Sequence, residues 1–158
     1  MLVPMSWIKK YLQINTPVEE LAHLLTMAGT EVGSVTHIGQ DWAKEKIVIG
    51  NVLSVEPHPN ADRLNLPTID LGNDNVVKVV CGASNIAAGQ KIAFAKEGAP
   101  LINVRSGKLE PLKAATIRGI VSAGMVCSEQ ELGLSDNHEG ILILDDDATV
   151  GTPLIDYI

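Results

Sequence analysis

Ile47-Val48-Ile49-Gly50-Asn51-Val52-Leu53-Ser54-Val55 runs directly into Glu56-Pro57-His58-Pro59-Asn60, and this junction decides the fold. The first stretch is aliphatic and β-branched over the length of one long strand. The second carries two prolines, which cannot donate to a β-ladder, so it is a turn. From Ile47 onward the apolar pattern has a period of two, and turn residues return about every ten positions. Leu64–Leu71 and Val76–Val80 read as strands around Gly72-Asn73-Asp74-Asn75, a hairpin loop. Lys91–Ala95, Ala114–Ile117 and Ile141–Leu144 read as further strands. Ser128-Glu129-Gln130-Glu131-Leu132-Gly133 reads as one helical turn, capped by Ser128 and ended by Gly133. Short strands and one helical turn between Ile47 and Leu144 fit a small closed barrel, and on pattern alone a sandwich fits nearly as well.

The preceding residues have a different period. Trp7, Ile8, Tyr11 and Leu12 share one face of a short helix after Ser6, a good N-cap. Thr16-Pro17-Val18-Glu19 has the form of a capping box with proline at the first helical position. Val18, Leu21, Leu24, Leu25 and Ala28 then form an apolar stripe, which Gly29 can close. Glu31–Ile38 alternates as a half-buried strand does. Two short helices and a strand bury little by themselves, so this segment needs a partner surface.

The chain has 158 residues, 46% of them hydrophobic and only 3% aromatic, so the core must be aliphatic. No apolar run reaches the roughly 18 residues of a membrane helix, and no signal peptide is evident. Two lone cysteines, Cys81 and Cys127, suit a reducing compartment, with the cytoplasm as the default. The net charge of −7 argues at first against a nucleic-acid partner. Its distribution changes that. Between residues 78 and 118 stand seven basic residues and two acidic ones, Glu97 and Glu110. Such a window suits a phosphate-facing patch, and it equally suits solvated strand and turn positions. The last fourteen residues hold four aspartates and no base. They end without a polar tail, which reads as a cut inside a longer chain.

Catalytic motifs are missing: there is no phosphate-binding glycine loop, no dinucleotide fingerprint and no zinc-protease helix. His23, His37, His58 and His138 are scattered. A zinc site from Cys81, Cys127, His58 and His138 would need all four to converge, and metal ligands usually come in close pairs. Cys127 as a nucleophile beside His138 competes with Cys127 as a buried thiol next to Met125. The expectation is no catalytic residue, no metal and no cofactor in this chain.

The informative segments are loops. His58-Pro59-Asn60-Ala61-Asp62-Arg63-Leu64 gathers a rigid turn, an amide, a carboxylate and a guanidinium, and Asp62 is expected to accept backbone N–H bonds there. Val80-Cys81-Gly82-Ala83-Ser84-Asn85 leaves a strand for an amide- and hydroxyl-rich turn. Ile117-Arg118-Gly119 is followed by Ser122-Ala123-Gly124-Met125-Val126-Cys127-Ser128 and Glu131-Leu132-Gly133-Leu134, and the two glycines of Arg118–Ser128 allow close backbone approach to a ligand.

In order and spacing these motifs resemble the tRNA-binding barrels shared by bacterial phenylalanyl-tRNA synthetase β subunits, tails of some methionyl-tRNA synthetases and small free-standing tRNA-binding proteins. Met5-Ser6-Trp7-Ile8-Lys9-Lys10-Tyr11 and Leu25-Thr26-Met27-Ala28-Gly29-Thr30-Glu31-Val32 resemble the opening of the β subunit of phenylalanyl-tRNA synthetase, a phenylalanine–tRNA ligase. The resemblance covers the whole chain. It implies a mainly β fold: a five-stranded oligonucleotide-binding (OB) barrel inserted in a small, incomplete α/β domain. Residues 1–40 would be the helix–helix–strand part of that domain, residues 41–146 the tRNA-binding barrel, and residues 147–158 a truncated return into the α/β domain. The parent would be an α2β2 ligase joining phenylalanine to its tRNA with ATP and magnesium, both bound outside this chain. Partners would be tRNA and the synthetase α subunit, with no membrane.

Carried over residue by residue, the RNA-facing set is Asn60, Arg63, Ser84, Asn85, Arg118, Ser122, Met125 and Ser128. Asp62, Leu64, Gly119 and Gly124 are expected to shape the loops. For each contact residue, a turn-forming or barrel-rim role is the alternative. In one respect the barrel departs from single-strand binders: Phe94 is the one aromatic residue between Ile47 and Leu144. Repeated base stacking, worth about 1–3 kcal/mol per base, is not available to it. Binding is expected through phosphate, 2′-OH and shape, weak and salt-sensitive. The alternative function is a protein-interaction domain that braces subunit assembly with little tRNA affinity of its own.

Overall fold

The computed structural model describes residue 1 and residues 3–158, which divide into two compact units, Met1–His37 and Ile38–Ile158. Among the described residues no helix is long and apolar enough to cross a membrane.

The first unit holds helix α1 (Met5–Ile8) and helix α2 (Val18–Met27). Ser6 lies inside α1, whose N-cap is Pro4. The capping box at Thr16 does not form, because α2 begins one residue too late for it. Pro17 takes the N-cap position with extended ψ of 146°, and Glu19 turns to His37 at 2.8 Å. Gly29 does close α2. At φ 96° it lets its own N–H reach Thr26 O and lets Thr30 N–H reach Leu25 O, the paired bonds of a Schellman ending. Residues 31–37 form no ladder with any described residue, so the alternation there makes no strand. No described side chain of this unit is fully buried; Trp7, Tyr11, Leu24 and Met27 are more than half exposed.

The second unit is mainly β. Strand β1 (Ile47–Pro57) is its axis. It is followed by β2 (Asn65–Asp70), β3 (Val76–Lys78), β4 (Lys91–Lys96), β5 (Pro100–Ile102) and β6 (Leu109–Pro111). Then come β7 (Ala115–Ile117), β8 (Ile120–Ser122), β9 (Gly124–Val126), β10 (Ile143–Leu144) and a 3-10 turn at Leu154–Asp156. The main sheet runs β10-β4-β1-β2-β3, with β9 also on β4; β5–β6 and β7–β8 are separate two-stranded hairpins. The first half of β1 pairs β4, from Ile47↔Ala95 to Asn51↔Lys91. The second half pairs β2, from Asn51↔Asp70 to Pro57↔Asn65, across a bulge between Val52 and Ser54. A bulge bends its strand and increases twist, which lets one long strand serve two neighbours and curl the sheet.

Period two explains the core. Ile47 and Ile49, with Ala93 and Ala95, enter one apolar cluster, closed by Cys127, Leu144, Ala148 and Leu154. Val48 and Val52, with Ile92 and Phe94, enter a second cluster with Ile69, Val79 and Val126. The start of β1 is therefore buried on both faces. The chain end lies along it: Ile49 N–H donates to Thr152 O and Gly151 N–H to Ile49 O.

Candidate nucleic-acid interface

The turn after β1 is built on His58, a buried polar side chain at 5% exposure. Its backbone N–H donates to Leu64 O, closing residues 58–64 into a loop. Asn60 N–H donates to its Nδ1 at 3.0 Å, so Nδ1 carries no proton and Nε2 carries it. Nε2 then donates to Ile117 O at 3.3 Å, at the end of β7. The expected anchor, Asp62, is exposed and accepts no backbone hydrogen bond among the described residues. A buried imidazole holds this turn in place of a carboxylate. The chain gave a signal for it in a histidine between two prolines, a rigid setting from which a ring can be aimed.

Arg118 and Gly119 form the tip of the β7–β8 hairpin, between the paired residues Ile117 and Ile120. Both have positive φ, 50° and 91°, as a two-residue hairpin turn of matching twist requires. Glycine adopts this freely; arginine does so at a cost of about 1–2 kcal/mol. Asn60 closes the arrangement by donating from Nδ2 to Arg118 O at 3.3 Å. Asn60, Arg63 and Arg118 are all exposed.

The second loop motif adjoins the first. Asn65 and Cys81 exchange backbone bonds of 2.8 and 2.9 Å, which sets the Gly82–Asn85 turn beside the base of the 58–64 loop. Ser84 is exposed. Asn85 uses its amide internally, donating to Ile141 O at 3.1 Å and accepting from Ile141 N–H at 2.9 Å.

The remaining three residues of the set face inward. Ser122, 6% exposed, accepts from Val80 N–H at 3.2 Å and donates to Gly124 O at 2.9 Å. Ser128, 7% exposed, forms a reciprocal box with Glu131: its N–H and hydroxyl reach Glu131 Oε2, and Glu131 N–H reaches its Oγ. Gly133 ends that turn with the Schellman pair Gly133 N–H to Gln130 O and Leu134 N–H to Glu129 O. Met125 is half-buried opposite Ala95. Gly124 is a close-approach glycine, but what approaches is the Phe94 ring, which an added Cβ would overlap.

Two ion pairs, Lys44–Asp156 and Lys78–Glu56, and a His37–Glu19 hydrogen bond occur among the described residues. Arg63, Arg105, Lys108, Lys113 and Arg118 have no carboxylate within salt-bridge distance among those residues. Glu110 is committed to its own hairpin, where Asn103 and Ser106 donate to it and hold its carboxyl below the usual range. Burial pushes the Cys127 thiol well above its ordinary range and raises Cys81 as well. No group of three metal-ligating side chains converges among the described residues.

Residues 47–153 match the family model described as "Putative tRNA binding domain". The chain is 48% identical over 158 residues to a phenylalanine–tRNA ligase β subunit of Dehalococcoides mccartyi, covering 100% of this chain and 19% of the relative. It is 44% identical over 161 residues to the subunit of that name from Salinibacter ruber, covering 99% and 19%. The chain thus spans about a fifth of the length of these relatives. Among solved structures, a MetRS-related protein from Pyrococcus horikoshii superposes with a TM-score of 0.51 at 17% identity, over 77% of this chain and 98% of that one. That last likeness is one of fold.

Proposed function

The chain belongs to the tRNA-binding domain family, and on that premise we propose that it is the tRNA-binding accessory region of a phenylalanine–tRNA ligase β subunit. The observation that carries the reading is the joining of two loops through His58 and Asn60, which leaves Asn60, Arg63 and Arg118 exposed on adjoining loops. Ser84 adjoins them and completes the contact set. Ser122 supports it from inside through its bonds to Val80 and Gly124, and Asn85 holds the Ser84 turn through Ile141. Contact is to phosphate and ribose, since Phe94, the one aromatic between Ile47 and Leu144, is 2% exposed and unavailable for stacking.

In this reading the curled sheet is an OB barrel occupying residues 41–146. Residues 1–40 begin an α/β domain that residues 147–158 rejoin. The parent is a cytoplasmic α2β2 enzyme that attaches phenylalanine to its tRNA with ATP and magnesium, the chemistry residing elsewhere in it. The test is binding of unmodified tRNA to the 158-residue chain at low salt. Arg63→Glu with Arg118→Glu abolishes it if the surface is right; binding equal to wild type rejects the surface.

A second role is favoured by the first unit, whose Trp7, Tyr11, Leu24 and Met27 expose an apolar surface that monomers rarely leave uncovered. That role is bracing of subunit assembly. Self-association in light scattering, with no tRNA binding at low salt, would make it the main one.

A further inference from the structure

We propose that Ser122 is a positioning residue for tRNA contact, a clasp that holds the β7–β8 hairpin, and with it Arg118, against the curled sheet. This rests on the reading of the chain as a tRNA-binding module. The hairpin has three residues per strand and no ladder to the six-stranded sheet. Ala115, Thr116 and Val121 are exposed, so it buries little of its own. An isolated two-stranded hairpin is marginal in water, and something other than a ladder must fix it.

Side-chain bonds do so at both ends. At the tip, His58 reaches Ile117 O and Asn60 reaches Arg118 O. At the base, the Ser122 hydroxyl accepts from Val80 N–H, just beyond β3, and donates to Gly124 O, at the start of β9. One hydroxyl thereby joins the far edge of the sheet to the strand next to β4. It sits at 6% exposure, where neither backbone group has water as a ready substitute.

Hydrogen exchange and tRNA binding of Ser122→Ala, in the full 158-residue chain, test the clasp. Expected are exchange about tenfold faster at Val80 and in the β7–β8 ladder, unchanged rates at Ile49 and Lys96, whose N–H groups donate to Thr152 O and Lys46 O, and tRNA affinity several-fold weaker. Because Ser122 acts through Arg118, Ser122→Ala adds nothing to the loss caused by Arg118→Gln. Unchanged hairpin exchange overturns the proposal, as does exchange accelerated equally everywhere, or losses that add. Wild-type protein that binds no tRNA at low salt would remove the proposed function, and the exchange rates would still decide whether the clasp exists.

Discussion

Asn60 Nδ2 donates to the carbonyl oxygen of Arg118 at 3.3 Å, joining residues 58 positions apart. Beneath that bond the His58 ring donates to Ile117 O. Two loops that look independent in the chain are one surface, and each basic side chain depends on the other loop for its placement.

His58→Ala removes a donor to Ile117 O and the acceptor of Asn60 N–H from a buried site. Such a loss costs about 1–3 kcal/mol, or roughly 2–10 °C in melting temperature for a domain of this size. Calorimetry measures it, and tRNA binding should weaken in parallel even where the fold is intact.

Arg118→Asn should move stability and function in opposite directions. Asparagine accepts the left-handed backbone that Arg118 adopts at φ 50°, and Asn-Gly is the preferred pair for this turn. The hairpin gains about 0.5–1 kcal/mol while tRNA affinity falls with the lost charge. Thermal melts and low-salt binding on the same preparation read both.

Glu131→Ala breaks the reciprocal box with Ser128. Loss of a cap costs about 0.5–2 kcal/mol. Chemical denaturation should show that cost, with tRNA binding unchanged while the protein is folded, since Glu131 lies outside the contact set.

Cys127 should resist thiol reagents until the protein unfolds. Burial raises its folded pKa well above the ordinary thiol value of 9.0. The sign follows from linkage: above pH 9 the unfolded chain gives up the proton that the folded one keeps. Its stabilising contribution is complete below pH 9 and is lost as pH climbs from there toward the folded value. Labelling rates against denaturant, and melts at increasing alkalinity, check both statements.

Much of this was legible in the chain. The apolar run from Ile47 and the turn residues after it placed the long strand, the Gly72–Asn75 hairpin loop and an aliphatic core, because a strand buried on both faces is apolar at successive positions. The Ser128–Gly133 turn was legible from its end residues. Helix starts were less so: Ser6 and Thr16 are good caps by type, yet Pro4 and Pro17 take those positions. Glu31–Ile38 alternates as a strand does, but alternation cannot supply the ladder partner a strand needs. Motif order identified the loops and not the direction of each side chain. Ser84 and Ser122 are the same residue type in similar motifs; one is exposed, and the other is a buried clasp because its backbone places the hydroxyl between Val80 and Gly124. His58 is legible in the sequence as part of a turn and as a candidate zinc ligand, but not as an anchor, since that role depends on Ile117, 59 positions away.

The most direct measurement is the salt dependence of tRNA binding by the 158-residue chain, wild type against Arg63→Gln with Arg118→Gln. Each phosphate contact contributes about 0.7–0.9 to the slope of log affinity against log salt. Loss of both arginines should weaken binding at low salt and flatten that slope by roughly 1.5. Equal affinity and equal slope in the two proteins would contradict the account.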